Sequence, residues 1–295
     1  MGAENFVDER FELASLIFRL AGRVEYSYNF TEYQQSLDDR FGKYKAHPAV
    51  TFAIENFDII SYDAVFLIAI HLRKNSDNFG LVDNLDHLFN CKRWTKENTQ
   101  KFLPLLNNFY KDTDFNTFFK ENYDYYMEHS EKFFNVILKD FNMEWFAKHG
   151  LNPNNLRTII SPTSGNYGGT VQGATPRDNI TYSGLYCSSV FDLRHTGILA
   201  HEFAHAFSNP IASCIYAENE KFRQWCDDSV DLEKNPSYPF GMGMAYEYIT
   251  RAYEAMYMVE NNKKSLQEVF ETEKEAGFPY IEEVFGLIKA GGQNA

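Results

Sequence analysis

Gly197–Pro210 reads G-I-L-A-H-E-F-A-H-A-F-S-N-P, and its centre, His201-Glu202-Phe203-Ala204-His205, is an H-E-x-x-H string. On a helix, residues i and i+4 share a face, so both imidazoles reach one metal ion. Glu202 follows His201 by about a third of a turn, close enough to reach a metal-bound water without being a ligand. Two histidines and a third protein ligand leave the fourth zinc position open for water. Zinc lowers the pKa of that water and a glutamate takes its proton, so five residues supply two ligands and a general base, Glu202. A chance H-E-x-x-H is expected in on the order of a few per cent of chains this long. The context argues against chance here: the flanking residues are apolar and helix-compatible, and two His and a Glu buried among them are costly without a partner such as zinc. Pro210 is expected to stop this helix.

The third ligand is not a histidine. An extended H-E-x-x-H-x-x-G-x-x-H pattern is excluded, because Ser208 replaces the glycine and Ile211 the last histidine. Among the downstream carboxylates, Glu247 and Glu254 stand out, because they lie in the apolar helical segment Gly243–Glu260. Glu247, Arg251 and Glu254 recur at i, i+4 and i+7 and line one stripe. Glu247 is the preferred metal ligand, with Glu254 and Cys187 as rivals. Arg251 is expected to neutralise a neighbouring carboxylate such as Glu254. The plain alternative is an exposed Glu–Arg–Glu ladder. Asn209, about two turns from Glu202 on nearly the same face, is a candidate to orient Glu202 or the metal-bound water, or simply a helix end before Pro210. Candidate donors to a developing oxyanion are Tyr182, Tyr186, Tyr238, Tyr246, Tyr253 and His195, with nothing in the sequence to choose among them. His47, His71, His87, His129 and His149 lack ligand spacing and read as structural or exposed.

A metal helix followed by a glutamate on a later helix resembles the glutamate zincins (gluzincins), a class of zinc metallopeptidases. Three longer blocks, Val7–Gly22 (V-D-E-R-F-E-L-A-S-L-I-F-R-L-A-G), His201–Pro210 and Tyr246–Ala252 (Y-E-Y-I-T-R-A), resemble an uncharacterised family of bacterial H-E-x-x-H proteins, common in gut bacteria and known only as a domain of unknown function. The resemblance implies a zincin-like hydrolase with Glu247 as third ligand, and implies no particular substrate. One departure matters. In the thermolysin-type pattern an aspartate four residues after the ligand glutamate orients a ligand histidine. Arg251 holds that place here and cannot accept the hydrogen bond, so the surroundings of the metal must be built differently.

Composition bounds the rest. The chain has 295 residues, a formal net charge of −13, 27 Phe and 19 Tyr. That length suffices for a large core, and the acidity argues against nucleic acid or an anionic membrane as partner. A peptide or protein substrate is the expected partner. The longest apolar run, Ala64–Ile70, is too short to span a bilayer. Met1-Gly2-Ala3-Glu4 shows neither a basic n-region nor an apolar h-region. The chain is therefore either cytoplasmic or, as we favour, an exported or cell-surface protein starting after a removed signal. Cys91, Cys187, Cys214 and Cys226 form no disulfide framework and are expected to be free, although Cys214 and Cys226 could pair in an exported protein.

The expected fold is α+β and predominantly helical, with a helical region over 1–150 and a zincin-like catalytic region over 151–295, packed as one unit. Helices are expected over Arg10–Leu20, Thr31–Tyr44, Ala49–Phe57 and Tyr62–Arg73, and from Lys96 with Thr95 as its cap, kinked or ended by Pro104 before Tyr110. Phe115–His149 is helical, whole or broken, and ends at Gly150. Arg157–Ser161 and Tyr167–Gln172, turning at Ser164-Gly165-Asn166, and Asn179–Ser188 are expected to form a small antiparallel sheet next to the metal helix, whose edge suits an extended peptide. Gly165, Gly168 and Gly169 serve either close backbone approach or plain hairpin geometry. Helices over Ile211–Cys226, Leu266–Ala276 and Tyr280–Ala290 complete the expected fold.

Overall fold

The structure, a computed structural model, describes residues 5–27, 31–164, 168–174, 179–186, 193–235 and 237–291. It is predominantly helical and forms two compact units, one of residues 1–141 with 154–195, the other of 142–153 with 196–295. The boundary expected near residue 150 thus falls inside a short segment of the second unit.

The first unit is built around α1 (Glu9–Leu20), which Asp8 caps by accepting from Arg10 N. Every residue from Phe11 to Leu20 is buried, so α1 is a core helix rather than a surface one. Around it stand α2 (Glu32–Phe41), α3 (Pro48–Glu55) and α4 (Asp63–Ile70). Phe11 meets Phe66 of α4 with ring centroids 5.5 Å apart, and Tyr26 meets the same ring at 6.3 Å. The aromatic richness of the sequence is therefore spent here on core packing.

The helix expected over Tyr62–Arg73 stops at Ile70. A hairpin follows, β1 (Leu72–Asn75) and β2 (Asn78–Leu81), antiparallel with Leu72 opposite Leu81 and Asn75 opposite Asn78. Ser76 takes a positive φ of 51° in its two-residue turn, the conformation such tight hairpins require. Next come α5 (Asp86–Asn90), α6 (Lys96–Asp112), α7 (Phe115–Glu121) and α8 (Tyr123–Val136). Thr95 caps α6 as expected, in a box with Asn98. Pro104, expected to kink or end α6 before Tyr110, does not end it: the helix runs on to Asp112. Pro104 sits on the exposed face, where water can serve the carbonyl its missing N–H leaves free.

Three more strands, β3 (Leu156–Ser161), β4 (Gly168–Ala174) and β5 (Asn179–Tyr186), lie close to the expected positions but pair differently. Their order is β3-β5-β4. β4 and β5 are antiparallel, with Gly168 opposite Leu185, while β3 runs parallel to β5, with Leu156 opposite Thr181. The all-antiparallel sheet with a β3–β4 hairpin is thus corrected to a mixed one. β5 takes the inner place, and β3, buried along most of its length, has its other edge covered by a single bridge to Val7. A Cβ on Gly169 would stand 3.3 Å from Asp63 Cβ, which ties that glycine to close packing on α4. Gly165 lies outside the described residues.

The second unit holds α9 (Leu193–Glu218, from residue 196 onward), α10 (Glu220–Asp228), α11 (Gly241–Glu260), α12 (Leu266–Glu275) and α13 (Ile281–Gly291). Pro210 does not stop α9. Like Pro104 it is exposed, and the helix runs on to Glu218 before Asn219 caps α10. The segment before Gly150 is a pair of short 3-10 stretches, and Gly150 ends it with φ 81°. Trp145 and Phe146 pack on Tyr257 at 5.4 and 5.5 Å, and Phe146 meets Phe203 at 5.6 Å, so this segment clamps α9 and α11 together. Among the described residues, no helix is long and apolar enough to cross a membrane.

Candidate metal centre

Leu199, Ala200, Phe203 and Ala204 are buried and fix the rotation of α9. That rotation turns His201 and His205 together toward α11. Their Nε2 atoms stand 3.1 Å apart. From α11, Glu247 brings Oε2 to 3.5 Å from His201 Nε2 and Oε1 to 3.4 Å from His205 Nε2. A metal bonded at the usual zinc distances sets neighbouring tetrahedral ligand atoms about 3.3 Å apart. The three residues therefore converge at the spacing a tetrahedral ion requires. Glu247 Oε2 is buried and has no hydrogen-bond partner, which is the mark of an atom built for another ligand. Cys187, the thiolate rival, lies outside the described residues.

The far side of each imidazole is tied down. His201 Nδ1 lies 3.1 Å from Glu254 Oε2. His205 Nδ1 lies 2.9 Å from Asn209 Oδ1 and 3.1 Å from Thr250 Oγ1, which shares a 2.6 Å hydrogen bond with Ser208. A donating Nδ1–H leaves the Nε2 lone pair facing inward on both rings. Glu254 is thus the orienting carboxylate, seven residues after Glu247 rather than four. Asn209 serves His205, where the sequence suggested Glu202 or a water. Gly197 makes room: a Cβ there would stand 2.6 Å from Glu254 Oε1.

Arg251 does neutralise neighbouring carboxylates, with its direct contacts to Glu273 and Glu247: Nη1 donates to Glu273 of α12 at 2.6 Å and Nε stands 3.4 Å from Glu247 Oε2, while Glu254, whose charge it also feels, contacts His201. Glu202, next to His201 in α9, is buried. Tyr238, in the loop before α11, is held by Tyr238 N donating to Asn235 O at 3.0 Å. Burial pushes its hydroxyl up from its ordinary value, joined by the charges of Glu247 and Glu202 and opposed by Arg251. Of the other phenols proposed from sequence, Tyr246 shares a 3.2 Å hydrogen bond with Ser213 and Tyr253 packs on Phe207. The side chains of Tyr182 and Tyr186 lie outside the description, and His195 belongs to the other unit.

The electrostatics follow from crowding. Glu273, Glu247 and Glu254 all act on Arg251, and three carboxylates against that guanidinium favour a further positive charge. In the metal-free chain a proton supplies it. Burial alone would lower His201, but Glu247 and Glu254 outweigh it and hold the imidazole up at about 10. Burial would raise Glu247, but His201 and His205 hold it well below its ordinary value.

Four other histidines make structural contacts. His47 accepts from Ala49 N at the start of α3, His71 and His129 bond carbonyls one turn back, and His149 stacks on Phe207. Cys91, Cys214 and Cys226 are free, so Cys214 and Cys226 do not pair.

Fold and site together define a mainly helical protein with a buried His-His-Glu cluster able to hold a metal ion. The chain belongs to the family described as Domain of unknown function (DUF4932), whose model matches residues 6–294. That agrees with the resemblance to an uncharacterised family, and the description names no activity. Searches of curated proteins and of solved structures each found no match.

Proposed function

We propose that this protein is a zinc-dependent metallopeptidase of gluzincin type, with His201, His205 and Glu247 as ligands. The observation that carries the reading is the convergence of the two Nε2 atoms and the Glu247 carboxylate, with Glu247 Oε2 buried and unpartnered. A zinc ion held by these three residues would supply a Lewis acid for a carbonyl and would make a bound water acidic near neutral pH. Glu202, next to His201 and buried, accepts the proton of the attacking water and returns it to the leaving amine. Tyr238, whose hydroxyl feels the charges of Glu247 and Glu202, is the phenol suited to donate to the oxygen on which negative charge develops. Glu254, Asn209 and Thr250 hold the imidazole rings in the orientation that leaves Nε2 free.

The test is Glu202→Gln assayed on a quenched peptide library beside wild type. The expected outcome is unchanged zinc content with turnover reduced by about 100- to 10,000-fold. Zinc binding without turnover in wild type, over a broad library, would replace this reading by a zinc-stabilised binding protein of the same fold.

A further inference from the structure

Arg251 is more elaborately held than a charge-neutralising residue needs to be. Beyond its 2.6 Å bond to Glu273, its guanidinium carbon lies 4.1 Å from the centre of the Phe278 ring. Glu273 itself is buried, although α12 otherwise exposes its glutamates at 268, 271 and 275. The clamp leaves Nε aimed at Glu247 Oε2 across 3.4 Å, and neither atom has a hydrogen-bond partner. A structural ion pair between α11 and α12 requires only Nη1. The second face of the guanidinium, turned to the candidate ligand, is left over.

We propose that Arg251, fixed by Glu273 and Phe278, is a positioning residue of the metal centre and sets the facing of the Glu247 carboxylate. The inference rests on the zinc reading above. It makes the turn between α12 and α13, where Phe278 lies, part of the metal-binding apparatus, although it supplies no ligand. Planarity matters as much as charge. A guanidinium holds Glu273 with one edge and faces Glu247 with another while lying flat on a ring, and an ammonium cannot.

The test uses the full chain as wild type, R251K, and the double variant R251M/E273M. Zinc affinity is measured by competition with a chromophoric chelator, and geometry by the visible absorption of the cobalt(II) form. Replacing both partners of a buried pair with apolar residues is commonly neutral or stabilising for the fold. The double variant is therefore expected to melt no lower than wild type, yet to bind zinc about 10- to 100-fold more weakly with an altered cobalt spectrum. R251K is expected to be weakened over the same range. Wild-type affinity and spectrum in a folded double variant would reduce the pair to a structural brace and overturn the proposal. If that variant fails to fold, R251K decides: wild-type affinity there overturns the proposal, and weakened affinity with an altered spectrum supports it. Failure of wild type to bind zinc or cobalt at all would instead remove the zinc reading itself.

Discussion

Two buried glutamates, one in each unit, look alike in the sequence and do opposite things. Glu12 of α1 is wholly enclosed. Its carboxylate accepts from Ser161 Oγ and Thr163 Oγ1 at 2.6 Å each and from Tyr33 OH at 2.9 Å. The Tyr33 hydroxyl continues to Tyr126 at 2.9 Å, and Ser15 and Ser164 close the group. Every partner is neutral, both oxygens are satisfied, and burial pushes the carboxyl up from its ordinary value against the donors that pull it down. Glu247 is as deeply buried, but it faces two imidazoles and an arginine, keeps an unpartnered oxygen, and is held well below its ordinary value. A closed network of neutral donors locks a fold. An open one, with lone pairs converging on a shared point, calls for a cation.

The comparison breaks most sharply on Glu247→Ala. Zinc affinity is expected to fall beyond the roughly 100-fold that a change outside the ligand sphere costs. Glu12→Ala is the counterpart. It leaves several buried hydroxyls without their acceptor and is expected to cost about 3 kcal/mol in urea unfolding, with zinc stoichiometry unchanged.

The pH dependence sharpens the contrast. Because the folded value of Glu12 is raised, its contribution to stability is full below the unfolded value and is lost as pH rises through the folded one. Urea midpoints measured from pH 4 to 8 should show Glu12→Gln with a flatter decline than wild type. Gly197→Ala is expected to weaken zinc binding about 10-fold by displacing Glu254, while thermal stability holds or rises because alanine is the better helix former. Asn209→Ala is expected to have the smallest effect, less than about 10-fold on zinc affinity, since Thr250 remains on His205 Nδ1. Loss of zinc on that substitution alone would show the two outer partners to be unequal.

Much of this was legible in the sequence. Helical periodicity announced the i, i+4 histidines and narrowed the later helix to Glu247 or Glu254 on one stripe, with Glu247 preferred. What stayed hidden depended on tertiary distance. Glu254 was visible as a charge on the right stripe, but its partner was set by Gly197, a small residue one turn before His201, whose meaning emerges only when α11 lies against it. Glu273 carried no signal, since it is one acid among several on a polar helix and its burial is decided by Arg251. The hairpin over Leu72–Leu81 was missed because its strands, L-R-K-N and N-F-G-L, have little strand propensity, although the polar N-S-D-N between hydrophobic flanks was a turn signal. Both prolines misled for one reason: a proline facing solvent leaves its orphaned carbonyl to water, and sequence alone does not say which way it faces.

The most direct test is zinc content after equilibrium dialysis, measured by elemental analysis on wild type, Glu247→Ala and Glu254→Ala side by side. The account predicts one zinc per chain in wild type, none held by Glu247→Ala, and weakened but detectable binding by Glu254→Ala. Equal zinc in wild type and Glu247→Ala, or none in wild type after titration, would contradict it.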